Sequence, residues 1–230
     1  MNQIEKDLIK LENPEKIKRF ARFFKTGKGE YGEGDIFLGI SVPEQRKIAK
    51  KYQKFELKDV QKMLSSKIHE HRSVALMILI IRYNKSNTIK KKKIFDFYLK
   101  NMKYVNNWDL VDGSARFIIG NYLLDKDRTI LYKLAASKNL WKRRIAIIST
   151  YEFIRHSQFY DTLKISEMFL NDKHDLIHKA VGWMLRELGK KNQKLLEQFL
   201  KKHRKKMPRT MLRYATEKLS KEKRKYYMRM

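Results

Sequence analysis

Residues 72–79 read Arg72-Ser73-Val74-Ala75-Leu76-Met77-Ile78-Leu79: a basic start, a small residue, then an apolar run. The phrase returns four times, as SARFIIG (114–120), RRIAIIST (143–150), HKAVGWML (178–185) and LRYATEKL (212–219). The alanines of the five phrases stand at 75, 115, 146, 180 and 215, so the spacings are 40, 31, 34 and 35. Intervals of that size suit stacked helix pairs of the HEAT or armadillo kind. The flanking chain agrees, because apolar residues recur at three- and four-residue intervals almost throughout. Glycine and proline, which break helices, number only 9 and 3. Helices are expected near 2–11, 14–25, 42–53, 57–65, 68–84, 88–102, 106–123, 127–136, 139–155, 158–170, 173–190, 192–204, 208–218 and 219–227. Pro14, Pro43 and Pro208 fall where a first helical turn would begin, a place where the missing N–H costs nothing. The expected fold is all-α, an α-α superhelix (solenoid) of HEAT/armadillo-like helix pairs. It would be a single domain over 1–230, with a concave face on which a rod-like ligand can lie.

One segment departs from this pattern. Thr26 to Asp35 (TGKGEYGEGD) holds four of the nine glycines and is expected to be a loop. Glu30, Glu33 and Asp35 match no EF-hand spacing, so they are expected to be solvated rather than to bind a cation.

Composition narrows the function. With 54 Lys and Arg against 25 Asp and Glu, the 230-residue chain carries 54 − 25 = +29. Its 42% hydrophobic and 12% aromatic content is enough for a core and argues against disorder. Without cysteine there is no disulfide, no thiol nucleophile and no thiolate-bound zinc or cluster. The apolar run through Ala75–Ile81 falls far short of the ~20 residues of a membrane span. The mixed-charge start MNQIEKDLIKLENPEK does not read as a signal peptide, so a soluble cytoplasmic protein is expected. The positive excess calls for a polyanion. Lys201 to Met230 alone carries 13 basic and 2 acidic residues, and further basic blocks lie at Lys90–Lys93 and at Lys190, Lys191 and Lys194. Basic segments along the whole chain fit a long phosphate backbone better than a single membrane anchor.

Several residues break the amphipathic pattern. In the helix from Lys173 the apolar stripe is Ala180, Val181, Met184, Leu185 and Leu188. Trp183 lies about 130° from its centre, near Lys179 and Arg186. It is either a contact surface or packing for the next repeat. Asp112 follows Trp108 by one turn, at the edge of the stripe made by Val111, Ala115, Ile118 and Ile119. It is either an ion-pair or capping residue, or an acid kept on a nucleic-acid face for a purpose. Arg144 sits between Trp141, Ile148 and Tyr151, while Arg143 leans towards solvent. Arg144 is either paired with Asp112 or Asp109, or a contact to a phosphate or lesion. His174 and His178 have zinc-helix spacing, but Asp175 replaces the general-base glutamate and no third ligand is evident, so no metal is expected. There is no phosphate-binding glycine loop, nucleophile elbow or dinucleotide fingerprint.

Four phrases in register carry a resemblance over nearly the whole chain: Phe37–Arg46 (FLGISVPEQR), Asn107–Asp112 (NWDLVD), Trp141–Arg144 (WKRR) and Lys179–Glu187 (KAVGWMLRE). The chain resembles the AlkD-type DNA alkylation repair glycosylases, whose fold is a right-handed superhelix of HEAT-like helix pairs. It departs from some relatives at Asn107, where they carry a second Trp, and in having the glycine loop. The resemblance implies monofunctional hydrolysis of the N-glycosidic bond of cationic alkylated purines, such as N3- and N7-methylpurines, in duplex DNA. It implies no cofactor and no metal, and a monomer is expected. Asp112 would be the catalytic carboxylate, Trp108 and Trp183 the aromatic walls on the lesion nucleotide, and Arg144 the cleft arginine. Arg143, Lys179 and Arg186 would add contacts to the DNA. The resemblance further implies a grip on the backbone without a base-binding pocket, in contrast to enzymes that flip the base. The family also includes relatives without glycosylase activity. The alternatives are therefore a non-catalytic HEAT-like protein that binds distorted or branched DNA, and an armadillo-like protein scaffold.

Overall fold

The computed structural model describes residues 3–229. Among them, 14 α-helices are joined mostly by short turns, with a longer connection over 24–41, and the one β feature is an isolated parallel bridge between Ile36 and Ile68. The chain divides into two compact units, Met1–Ser114 and Ala115–Met230. The first holds α1 (Gln3–Ile9), α2 (Pro14–Phe23), α3 (Val42–Lys51), α4 (Leu57–Leu64), α5 (His69–Asn84), α6 (Thr88–Lys100) and α7 (Trp108–Asp112). The second holds a π-helical turn (Arg116–Gly120), then α8 (Thr129–Ala135), α9 (Leu140–Arg155), α10 (Tyr160–Met168), α11 (Asp175–Lys191), α12 (Gln193–His203), α13 (Arg209–Ala215) and α14 (Lys221–Met228). Most observed helix ends lie within three residues of the expected ones; residue 2, placed in the first helix, lies outside the described residues.

Polar residues at the helix starts explain where the helices begin. The side-chain oxygens of Asn13, Asn87, Asn139 and Asn192 accept N–H groups from the first turns of α2, α6, α9 and α12. Pro14 and Pro43 lie in first turns as expected, whereas Pro208 is one step earlier, as the residue before α13.

In each unit one helix is apolar around most of its circumference and is covered on several sides. In the first unit this is α5, with Val74, Ala75, Leu76, Ile78 and Leu79 buried, packed by α3, α4 and α6. In the second it is α9, with Ile145 to Ile148, Phe153 and Ile154 buried, packed by α8, α10, α11 and the π turn. The close crossings depend on small residues. A Cβ on Gly182 of α11 would lie 2.5 Å from the Met211 carbonyl of α13, and one on Gly120 would lie 2.3 Å from the Ser149 carbonyl of α9.

The uninterrupted helix expected over 106–123 is not observed. After α7 the chain turns at Gly113 and Ser114 and resumes through the π turn. At the break the Ser114 N–H turns to the Val111 carbonyl at 3.1 Å, three residues back, while its hydroxyl donates to the Leu110 carbonyl at 2.5 Å. Asp112 thereby becomes the last residue of a short helix.

Candidate active site

In the first unit the candidate residues stand on α7. Asn107 starts the helix, its Oδ1 accepting the Trp108 N–H at 2.8 Å. The half-buried Trp108 ring lies nearly parallel to Phe24, at 5.4 Å and 22°, and meets the edge of Phe23 at 5.6 Å. Phe23 is 60% exposed. Asp112, also half-buried, follows one turn later on the same side of the helix. Nearby, the buried Tyr98 hydroxyl is 2.9 Å from Ser114 Oγ. Burial pushes the Tyr98 hydroxyl far above its ordinary pKa, and the charge of Asp112 adds to that push.

The seat of α7 is a buried ionic cluster that the sequence did not reveal. His69, at the start of α5, is 2% exposed. Its Nδ1 lies 3.0 Å from Asp35 Oδ2 and its Nε2 lies 2.8 Å from Asp109 Oδ2. Arg72 donates to Asp35 Oδ1 at 2.6 Å, and Asn107 Nδ2 donates to Asp35 Oδ2 at 3.4 Å. Burial and Arg72 disfavour the imidazolium, but Asp109 and Asp35 outweigh both and raise His69 from 6.5 to about 9. Burial also pushes Asp35 up, yet His69 and Arg72 hold it below the usual carboxylate range. The expectation of solvated loop carboxylates therefore fails at Asp35, whose side chain is 4% exposed, because two cations compensate its desolvation. Glu30 and Glu33 instead accept the N–H groups of Gly27 and Gly29, inside their own loop.

The Phe37–Arg46 phrase also has a clear structural role. The Glu70 carboxylate, 1% exposed, accepts the N–H groups of Leu38, Gly39 and Ile40 at 2.9, 2.9 and 3.2 Å. Gly39 has φ +75°, and a Cβ there would lie 2.4 Å from the Asn13 carbonyl, so only glycine fits. Glu44 accepts from the Ser41 N–H at 3.0 Å and so fixes the start of α3. The Phe37 ring stacks on His69 at 4.5 Å.

In the second unit, Arg143 and Arg144 stand on α9, and Lys179, Trp183 and Arg186 on α11. Arg144 is 4% exposed and donates to the Leu176 carbonyl at 2.5 Å. Arg143 does not lean into solvent. Its guanidinium donates to Asp172 at 2.7 Å and to the Ser137 and Lys138 carbonyls, an arrangement suited to the arginine fork. Lys179, Trp183 and Arg186 recur at i, i+4 and i+7 and so share one face of α11, while Ala180, Val181, Gly182, Met184 and Leu185 are buried. Lys179 pairs with Asp175 at 2.7 Å, and Arg186 pairs with Glu187 and Glu217. Trp183 is half-buried, its ring 6.0 Å from Tyr151. Tyr151 and Phe117 flank the Arg116 guanidinium at 4.6 and 4.3 Å, a cation–π arrangement not anticipated from sequence. His174 and His178 are occupied at the start of α11: His174 Nδ1 accepts the Leu176 N–H, and His178 Nε2 lies 2.6 Å from the Asp172 carbonyl.

Asp35, His69 and Phe24 escaped the sequence reading because the contacts that tie them to one another and to α7 span 34 or more residues. The one available signal was His69-Glu70-His71-Arg72, four polar residues directly ahead of the apolar run of α5. All four are buried.

No helix among the described residues is long and apolar enough to cross a membrane. No curated protein matches the chain in sequence. A solved structure described as a predicted DNA alkylation repair enzyme from Enterococcus faecalis is 19% identical, with a TM-score of 0.72 over 91% of this chain and 97% of that one. At that identity the likeness speaks for the fold, an all-α architecture of the α-α superhelical class. The family model for DNA alkylation repair enzymes matches residues 4–219. With nearly its whole length matched, the chain belongs to the DNA alkylation repair enzyme family, and its role lies in the repair of alkylated DNA.

Proposed function

We propose that this chain is a monofunctional DNA glycosylase that hydrolyses the N-glycosidic bond of cationic alkylated purines, among them N3- and N7-methylpurines, in duplex DNA. The observation that carries this reading is the pairing on α7 of a half-buried Trp108, backed by Phe24, with Asp112 one turn on. Asp112 is the catalytic carboxylate. Trp108 and Trp183 are the aromatic surfaces for the lesion nucleotide, and Arg144 is the arginine near its phosphates. Lys179, Arg186 and Arg143 contact the backbone. The Lys179–Asp175 pair is exposed on both sides, and such a pair holds itself by only about 0–1 kcal/mol, so Lys179 exchanges its carboxylate for phosphate at little cost. Arg143 and Arg186 keep their partly buried partners Asp172 and Glu187.

The chemistry needs few groups. Alkylation at N3 or N7 makes the base cationic, so it leaves neutral and needs no general acid. Cleavage moves the positive charge onto the sugar, an oxocarbenium-like species. A carboxylate beside C1′ stabilises that charge and orients or deprotonates the attacking water. Tryptophan faces, negative in their quadrupole, favour a cationic sugar over a neutral one.

The test is release of N7-methylguanine and N3-methyladenine from methylated duplex DNA, with wild type and Asp112→Asn side by side. The expected result is release by wild type and a loss of at least about 100-fold in the mutant, with duplex affinity retained. Tight binding with no release by either protein would move the chain to the non-catalytic DNA-binding reading.

A further inference from the structure

The glycosylase reading assigns no part to Asp35, His69 and Asp109, although they form a charged cluster against α7 in which the His69 and Asp35 side chains are 2% and 4% exposed. A neutral imidazole has one N–H, but His69 faces a carboxylate oxygen at each ring nitrogen, at 3.0 and 2.8 Å. Both contacts are hydrogen bonds only if both nitrogens carry protons, so the geometry itself asks for the cation. Arg72 completes a set of two positive and two negative side chains. Glu70, the remaining charged neighbour on α5, is turned to the loop amides. The imidazolium ring packs against both Phe37 at 4.5 Å and Phe24 at 5.0 Å, which stack on each other at 5.0 Å, and Phe24 stacks in turn on Trp108.

The cluster therefore touches α7 at three points. Asp109 lies in its first turn, Asn107 at its start is bonded to Asp35, and Trp108 rests on Phe24. Asp109 Oδ1 is buried with no hydrogen-bond partner, so the bond from His69 to Oδ2 is what compensates the charge. A five-residue helix has little cohesion of its own, since the first turn of any helix is costly to form.

We propose that His69 is a positioning residue for Asp112: as an imidazolium held between Asp35 and Asp109, it sets the seat of α7 and with it Trp108 and Asp112. The proposal rests on the glycosylase reading for its catalytic consequence, and on geometry alone for the seat of Trp108.

The experiment follows single-turnover release of N7-methylguanine and duplex affinity from pH 6 to 10, together with the indole ¹⁵N–¹H resonance of Trp108. The proteins are wild type, His69→Gln and Asp35→Asn. In wild type the rate is expected to fall, and the Trp108 resonance to shift, as pH rises through about 9. His69→Gln is expected to lower the rate roughly 10- to 100-fold with affinity little changed, and to abolish both pH transitions. Asp35→Asn, which leaves the Asp109 bond in place, moves both transitions to lower pH, and it carries the test should His69→Gln fail to fold. Wild-type rates, profiles and Trp108 resonances in both variants would overturn the proposal. Should wild type release no base while its Trp108 resonance still titrates with His69, the glycosylase reading falls and the seat stands. Loss of both signals removes both.

Discussion

At His69, burial alone would favour the neutral ring; the two carboxylates that burial brings with it reverse the outcome. This has a consequence for stability. A histidine raised from 6.5 to about 9 on folding contributes fully below pH 6.5 and loses that contribution as pH rises through about 9. The contribution is on the order of 3 kcal/mol for a group this deeply buried. Urea unfolding at pH 6, 8 and 10 should show a progressive fall in the midpoint, and His69→Gln should flatten that dependence. An unchanged slope in the mutant would show that another group governs alkaline stability. Asp112 differs in kind: it is half-buried, beside a tryptophan, and its charge is felt by Tyr98. Its substitution by Asn is expected to alter chemistry with little effect on the urea midpoint.

Among the elements, the irregular passage from Phe37 to Ser41 depends on a single side chain of α5. Three N–H groups converge on the Glu70 carboxylate, and hydrogen bonds to a charged acceptor are worth about 1.5–3 kcal/mol each. Glu70→Gln keeps the shape, removes the charge, and turns a donor towards groups that are themselves donors. It should destabilise the protein by roughly 3 kcal/mol, read as a drop in Tm, and expose the glycine loop to limited proteolysis. A Tm within a degree of wild type would mean that the loop is held by packing alone. The same element shows why the FLGISVPEQR phrase has its residues: Phe37 for the His69 ring, Gly39 for the close pass by Asn13, Ser41 and Glu44 for the start of α3. They are supports of the candidate site, not members of it. The break after α7 belongs to this scale too: at Ser114 the backbone N–H turns to Val111 in a run of residues whose periodicity alone reads as one helix.

For the whole molecule, +29 on 230 residues is the dominant electrostatic fact. If six to ten phosphates are neutralised, the logarithm of duplex affinity should fall with the logarithm of salt at a slope of roughly −5 to −9. Titrations between 50 and 300 mM NaCl read this directly. A slope near zero would point to the protein-scaffold alternative. The candidate residues divide between the units, with Trp108 and Asp112 in the first and Arg143, Arg144, Lys179, Trp183 and Arg186 in the second.

Periodicity, sparse glycine and proline, and the five returning phrases determined the all-α class and nearly every helix, because those signals are local and a helix is made of local contacts. Charge excess pointed to a polyanion, and four phrases in register pointed to the family. Tertiary structure alone decided that Asp35 is buried rather than solvated, that Arg143 clasps Asp172, and that His69 is a cation between two acids. Each of those outcomes depends on a partner about 30 to 40 residues away, and on how much water the fold leaves around the pair. Burial sets the cost of a charge and proximity sets its compensation, and neither is written in the spacing of residues along the chain.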